Sequence, residues 1–227
     1  MQHLVNKSVY ILREVKAKYK NPAILWAGGK DSTLMIYLAK MAFFNEVPFP
    51  CLLLDTTYQF RETYHFLNTV ANMWGLDLKR VRNSEALAKM TNPEINRFEC
   101  CTNLKTINLE KAIEKNGYDA ILVGIRWDEH GIRGKEYEFS DRDWSPKHIR
   151  IHPILHWSLD EVWRYTRQEN IPYNPLYDYD LNGLVYKSIG CYPCTKPINP
   201  TEAERSGRAQ DKESEEVMER LRALGYM

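Results

Sequence analysis

The chain has 227 residues, enough for one sizeable hydrophobic core and too few for two comfortable ones. Hydrophobic residues make up 44% of it and charged residues 27%, which excludes disorder as the main state, and no run approaches the roughly 18 apolar residues of a membrane-spanning helix. A net charge of +1 argues against holding nucleic acid by bulk electrostatics and leaves only a local basic patch for such a partner.

Met1–Lys20 mixes charged and apolar residues at helical spacing and lacks the apolar core of a signal peptide, so a cytoplasmic protein is expected. Pro22–Trp26 (PAILW) is a short apolar strand that runs into Gly28-Gly29, and Ser32–Ala42 then carries apolar residues at helical intervals. Pro50–Leu54 repeats the arrangement with Phe60–Trp74 as its helix, and Asp77–Val81 is a third strand. A helix over Cys101–Asn116 and a strand over Ala120–Ile125 continue the alternation. This order predicts an α/β fold, a doubly wound and mostly parallel sheet of Rossmann-like type with helices on both faces.

Arg126–Lys147 is polar, rich in charge and poor in periodicity, and is expected to be a loop over the active site. Ile149–Pro153 reads as a short strand, and Ser158–Glu169 as a helix opened by a Ser158/Glu161 capping box. Ile171–Tyr179, rich in Pro and Tyr, should be an ordered loop. Residues 1–195 are expected to form one domain and 196–227 a polar tail, with a short helix over Lys212–Leu224 stopped by Gly225.

In Ala27-Gly28-Gly29-Lys30-Asp31-Ser32-Thr33, two glycines after a strand let the backbone turn sharply, so that successive N–H groups and a helix N-terminus converge on one anion. Lys30 adds positive charge, and Ser32 offers both a cap and a hydroxyl donor. The spacing is neither a Walker A loop nor a G-x-G-x-x-G fingerprint. A tight turn with an ordinary cap is the bland explanation. It leaves unexplained why Lys30, Asp31 and Ser32 gather at the end of the first strand, where open α/β sheets bind ligands.

Asp55, just past the second strand, is placed either to meet a ribose hydroxyl or adenine edge or to cap the following helix. Four of the five cysteines form two tight pairs, Cys100-Cys101 and Cys191-x-x-Cys194, a pattern that points to metal, either tetrahedral zinc or a 4Fe-4S cluster. Cys51, inside an apolar strand, reads as core. The histidines, His148, His152 and His156 among them, show no metal-ligand spacing.

The loop resembles the S-G-G-x-D-S pyrophosphate loop of the adenine nucleotide α-hydrolase superfamily. The likeness extends to one branch, the phosphoadenylyl sulfate reductases and the small subunit of ATP sulfurylase. It is carried further by Asp55–Glu62 (DTTYQFRE), by Cys101-Thr102 with Lys105-Thr106, and by Gly124-x-Arg126-x-Asp128-Glu129 with Arg133, Lys135, Glu136 and Arg142-Asp143. Ser188–Thr195 (SIGCYPCT) and the stretch from Glu204-Arg205-x-Gly207-Arg208 through Gly225-Tyr226 complete it. Two departures stand out: Ala27 replaces the usual first serine, and the chain is shorter than the sulfurylase subunit, with segments missing before Ile149 and after Thr195.

The resemblance implies an ATP pyrophosphatase or adenylyltransferase of sulfur metabolism, with ATP and Mg²⁺ as cofactors and a sulfate oxyanion as attacking group. It implies nucleotide contacts from Ala27, Gly28, Gly29, Lys30, Asp31, Ser32, Asp55, Thr57, Phe60, Gly124, Asp128 and Glu129, and catalytic roles for Lys30, Ser32, Arg126 and Arg133. Cys100, Cys101, Cys191 and Cys194 resemble the cluster ligands of adenylyl sulfate reductases, which favours 4Fe-4S over zinc. Reduction of adenylyl sulfate itself is disfavoured, because those enzymes carry a further cysteine in a C-terminal Glu-Cys-Gly motif and no cysteine follows Cys194.

The second function that fits is activation of a tRNA or DNA oxygen for replacement by sulfur. The expected partner is a GTPase-type sulfurylase subunit in the first case and a cysteine desulfurase in the second, with a homodimer possible. A nucleotide-sensing subunit is the weaker, non-enzymatic reading.

Overall fold

The computed structural model describes residues 1–89, 91–129, 131, 133–142, 145–210 and 214–223. Its centre is a six-stranded sheet in the order β3-β2-β1-β4-β6-β5. The strands are β1 (Pro22–Leu25), β2 (Cys51–Leu54), β3 (Leu78–Val81), β4 (Ala120–Leu122), β5 (Phe139–Arg142) and β6 (His148–Ile151). All neighbours run parallel except β5, which pairs antiparallel with β6 at one edge. The middle strands carry near-continuous apolar runs because both faces are covered: Ala23, Ile24, Leu52, Leu53, Ile121 and Leu122 are all buried.

Helices α1 (Gln2–Lys18), α2 (Lys30–Ala42) and α3 (Arg61–Trp74) pack into the main core with Trp26, Leu34, Leu38, Phe66 and Leu67, joined by α7 (Leu159–Gln168) through Val162 and Tyr165. On the other face, α6 (Ile107–Asn116) covers Ala23, Leu52 and Ile121 with Leu109 and Ile113. The expected doubly wound α/β sheet is the fold observed.

Three local differences from the sequence reading have physical causes. The segment Arg126–Lys147 is not all loop: Arg133–Lys135 forms a 3₁₀ turn and Phe139–Arg142 is the edge strand β5. That strand buries Ser140 and Arg142 in place of apolar residues, so it carries no hydrophobic alternation to read. The helix expected over Cys101–Asn116 is divided, with α4 (Ser84–Ala88) and α5 (Arg97–Cys101) ahead of a π-helical turn at Thr102–Thr106 and then α6. Such turns are rare and gather at functional sites. The terminal helix spans Glu215–Ala223, and the expected Gly225 stop lies outside the described residues.

Candidate active site at the strand switch point

The sheet order reverses between β1 and β4: from β1 the chain winds outward through β2 and β3, and from β4 it winds the other way through β6. The carboxyl ends of adjacent strands therefore part at this point, which is where open α/β sheets form ligand crevices. A cleft of about 230 Å³ lies there, walled by Trp26–Ala27, Gly29–Ser32, Val123–Ile125 and the aliphatic side chains of Leu52, Leu54 and Leu109.

The turn that shapes it is fixed from within. Gly28 holds φ +76, and a Cβ there would sit 3.1 Å from Thr63 Cγ2, so glycine suits both the left-handed backbone and the close packing. Gly124 is needed for a different reason: a Cβ on it would come within 2.8 Å of the Ser32 Cα, so the β4 end touches the first turn of α2 directly. Thr33 locks the loop by donating its hydroxyl to the Gly29 carbonyl at 2.9 Å while accepting from the Trp26 indole at 3.0 Å. Helix α2 starts at Lys30 with Gly29 as cap and no side-chain cap, and Ser32 Oγ turns back to the Gly29 carbonyl at 3.1 Å.

Neither Asp31 nor Ser32 is thus spent as an N-cap. Asp31 belongs to a charge network: Lys30 Nζ lies 3.0 Å from its Oδ2, and Arg126 donates to its Oδ1. Lys30 and Arg126 also grip the two oxygens of Glu204, the Arg126 Nη2 contact measuring 2.5 Å, and Arg126 Nε donates to Asp128 at 2.9 Å. Alongside, Glu129 accepts from Arg133 and, at 2.6 Å, from Arg205.

Burial works against charge on Lys30 and Arg126, yet Asp31 and Glu204 outweigh it and hold both above their ordinary values. Burial likewise opposes ionisation of Glu129, and the guanidiniums of Arg133 and Arg205 overturn it, keeping the carboxylate well below its usual range. The site is a set of paired cationic and carboxylate side chains beside backbone N–H groups at a helix start. Such a set suits a phosphate-bearing ligand. Ligand oxygens of Asp31, Glu129 and Glu204 all lie within 4.8 Å of one another, close enough to share a divalent cation.

The residues singled out from sequence divide by place. Ala27, Gly29, Lys30, Asp31, Ser32, Gly124, Glu129 and Arg133 line the cleft. Arg126 is fully buried behind Asp31. Asp128 caps α7, accepting from Leu159 N at 2.8 Å. Asp55 lies beneath the second strand end, accepting from Arg82 at 2.7 Å, Tyr64 at 2.5 Å and the Thr57 N–H at 3.0 Å. Thr57 holds a positive φ in that turn, and Phe60 is packed edge-on against Tyr186 and Tyr192.

Several residues on the cleft wall had been given no role from sequence: Lys105, Tyr177, Arg205 and Arg208, with Glu204 bonded to Lys30 beside them. Lys105, Glu204, Arg205 and Arg208 stand in segments that carry the family resemblance, but no spacing ties those segments, or Tyr177, to the phosphate loop. Arg208 is held by Ser188 Oγ and the Ile189 carbonyl, both at 3.3 Å, against Gly190, where a Cβ would come within 2.2 Å of its Nη2.

The two cysteine pairs meet beside this wall. Cys100, Cys101, Cys191 and Cys194 are buried, and Cys191 lines the cleft with its Sγ 3.3 Å from Thr56 Oγ1. Burial, reinforced by the three other sulfurs, pushes the Cys100 thiol up to about 12, so metal uptake has to displace its proton. Among the described residues, the ligand groups mutually within 4.8 Å are the three carboxylates and not the cysteines. The sulfurs are therefore spread wider than the roughly 3.8 Å separation of thiolates bonded to one zinc at about 2.3 Å. Cys51 is a core residue, its thiol pushed up to about 12 by burial.

A parallel α/β sheet with a charged crevice at its switch point, opened by a glycine turn into a helix, defines a protein built to hold a phosphate-bearing ligand. The chain belongs to the phosphoadenosine phosphosulfate reductase domain family, which it matches over residues 21–197. It is 32% identical to sulfate adenylyltransferase subunit 2 of Proteus mirabilis, covering 100% of this chain and 97% of that one. That alignment runs over 293 residues, so the relative carries insertions that these 227 residues lack.

Among solved structures, phosphoadenylyl-sulfate reductase from Candida auris in its phosphate complex superposes with a TM-score of 0.69 at 22% identity, over 86% of this chain and 95% of that one. FMN adenylyltransferase of Candida glabrata in complex with ATP gives 0.67 at 22% identity, over 86% and 63%. At that identity both speak to the fold. Among the described residues, no helix is long and apolar enough to cross a membrane.

Proposed function

We propose that the chain is an ATP-dependent nucleotidyl transferase that binds ATP in the switch-point cleft and promotes attack of an oxyanion on its α-phosphorus, with sulfate as acceptor. The observation that carries this reading is the junction of the Gly28–Ser32 turn with the buried Lys30, Asp31 and Arg126 network. The full-length relatives named sulfate adenylyltransferase subunit 2 support the acceptor.

The reaction asks for placement and charge more than covalent help. A sulfate oxygen forms the new bond to the α-phosphorus as the bond to the bridging oxygen breaks, and pyrophosphate leaves with that electron pair. Lys30 and the amides of the turn hold the departing phosphates. Arg133, on the cleft wall, would meet the α-phosphate and the entering anion, while Arg126 orients Asp31 from behind. Asp31 and Glu129 are the carboxylates that would hold Mg²⁺, which would supply charge neutralisation on the phosphates. Ala27 withholds the hydroxyl that a serine would give, leaving the amides.

A second reading keeps the ATP chemistry and exchanges the acceptor for a nucleic-acid oxygen. The two cysteine pairs beside the cleft, with Cys191 on its wall, favour it: their spread suits a 4Fe-4S cluster better than one zinc, and such a cluster would supply sulfur chemistry near the nucleotide. The partner is then a cysteine desulfurase in place of a GTPase-type subunit.

Pyrophosphate release decides between them. Turnover that rises with added sulfate, in the presence of the GTPase-type partner, is the expected result. Turnover indifferent to sulfate but stimulated by tRNA or DNA assigns the second reading, and no ATP uptake by metal-replete protein removes both. An anaerobic absorption spectrum tests the cysteines: a colourless, iron-free sample holding stoichiometric zinc would end the cluster assignment.

A further inference from the structure

We propose that Glu204 is an internal phosphate surrogate, and that the strap carrying it, residues 196–210, must release Lys30 and Arg126 before a triphosphate can seat. This rests on the ATP reading above. Both oxygens of the Glu204 carboxylate are engaged, Oε1 with Lys30 Nζ and Oε2 with Arg126 Nη2 at 2.5 Å, and the side chain is only 8% exposed. A carboxylate bridging two cations reproduces the charge and the two-oxygen edge of a phosphate.

A second segment completes the substitution. The Tyr177 hydroxyl accepts from the backbone N–H of Lys30 at 3.3 Å, and Lys30 Nζ stands 5.7 Å from the centre of its ring. That N–H belongs to the first residue of α2, one of the donors a helix start offers to an anion. Residues about 145 and 175 positions downstream thus occupy two donors of the phosphate turn, the Lys30 N–H and its Nζ. A triphosphate held on those donors would bring like charge against a fixed, buried carboxylate, which is strongly unfavourable unless the carboxylate moves away or a cation intervenes.

The strap is held at both flanks: Ala209 N donates to the Cys194 carbonyl at 3.2 Å, Val185 and Ile198 exchange backbone bonds, and Lys196 N closes the strap on itself through the Gly207 carbonyl at 2.8 Å. Its middle is tied by surface contacts of Lys187 Nζ with the Pro200 and Glu202 carbonyls, at 3.0 and 2.6 Å, and by the Arg205–Glu129 pair. Between the flanks, Asn199–Ala203 is exposed. Release of Glu204 then needs the Lys187 contacts and the Arg205–Glu129 pair to yield, while Arg208 stays seated against Gly190. A seated strap lowers apparent nucleotide affinity by the fraction of molecules it occupies.

Calorimetric titration of ATP in excess Mg²⁺ tests this with wild type, Glu204→Gln and Glu204→Asp, the last too short to span both cations, each checked for folding by its melting curve. Both variants are expected to bind ATP about tenfold more tightly than wild type. Equal or weaker binding overturns the proposal, because it makes Glu204 a ligand that stays with the nucleotide or its cation. If wild type and variants alike take up no ATP, the functional reading falls and the strap proposal with it, an outcome distinct from failure of the strap alone. Tryptic cleavage at Arg205 of the wild type gives a readout independent of substitution: it should quicken when ATP is added, and unchanged or slower cleavage also overturns the proposal.

Discussion

One polar stretch, Arg126–Arg142, supplies two buried charge clusters that differ in what they face. Its first part sends Arg126, Glu129 and Arg133 to the switch-point cleft, where cations and carboxylates alternate around open space. Its second part sends Glu136 and Arg142 to the β5–β6 edge, where they pack with His148, Arg150 and His152. There Glu136 accepts from Arg142 at 3.0 Å and from Arg222 of the terminal helix at 2.7 Å, so that cluster fastens the end of the chain to the sheet. Charge density and family likeness are the same in both halves. The cleft charges line a cavity, and buried ion pairs are by themselves weak evidence for either stability or function.

The contrast breaks most sharply at Arg126. Arg126→Gln leaves Asp31 and Glu204 buried with Lys30 as their remaining counter-charge, and removal of one partner from such a network costs about 3–5 kcal/mol. Loss of the preorganised network should also lower the pyrophosphate-release rate by roughly 10²–10³, as expected for a group that directs charge at a reacting centre. A melting curve and a turnover assay check the two effects. Near-normal turnover would show that this network is structural, as the edge cluster is.

Glu136→Gln is the matching cut at the edge. It withdraws the carboxylate that burial opposes but that Arg222, Ser140 and Arg142 hold down to about 2. A loss of about 2–3 kcal/mol in stability is expected, from a side chain with no exposed surface. ATP affinity measured by calorimetry should stay within about twofold. A parallel loss of affinity would join the two clusters into one.

The two clusters also differ in how far sequence reveals them. The phosphate turn was readable because its parts are contiguous: two glycines, Lys30, Asp31 and Ser32 follow directly on an apolar strand. Asp55 looked equally placed beyond β2, yet Arg82 and Tyr64 claim its carboxylate, a pairing that no local pattern announces. Glu204 and Tyr177 join the site only through tertiary folding. At the edge, β6 was legible, read as Ile149–Pro153 against the observed His148–Ile151, whereas β5 was read as loop because its buried positions are polar. β6 buries His148 and Arg150 and leaves Ile149 half covered, and β5 buries Ser140 and Arg142. Inward-facing charge also discourages pairing of an edge strand with another chain, and periodicity built on apolar residues does not see it.

The smallest effect per residue is a pH dependence to which the edge histidines contribute. Burial, with Arg150 and Arg142 nearby, pushes the His148 and His152 imidazoles down from an ordinary 6.5 to about 4, against the pull of their carbonyl partners at Pro146 and Tyr137. Both are neutral in the folded chain. As pH falls below 6.5 the unfolded chain takes up protons that the folded chain refuses, so stability is flat above that value and declines from 6.5 towards 4. Each histidine should account for on the order of 1–3 kcal/mol across that window. The cleft carboxylate Glu129 is held well below its usual range by Arg133 and Arg205 and stays ionised throughout. Melting temperature should therefore fall between pH 6.5 and 4.5 while ATP affinity of the folded protein holds steady, and His152→Gln should flatten the melting profile. An affinity that titrates in step with the melting temperature would mean that the edge cluster reaches the nucleotide after all.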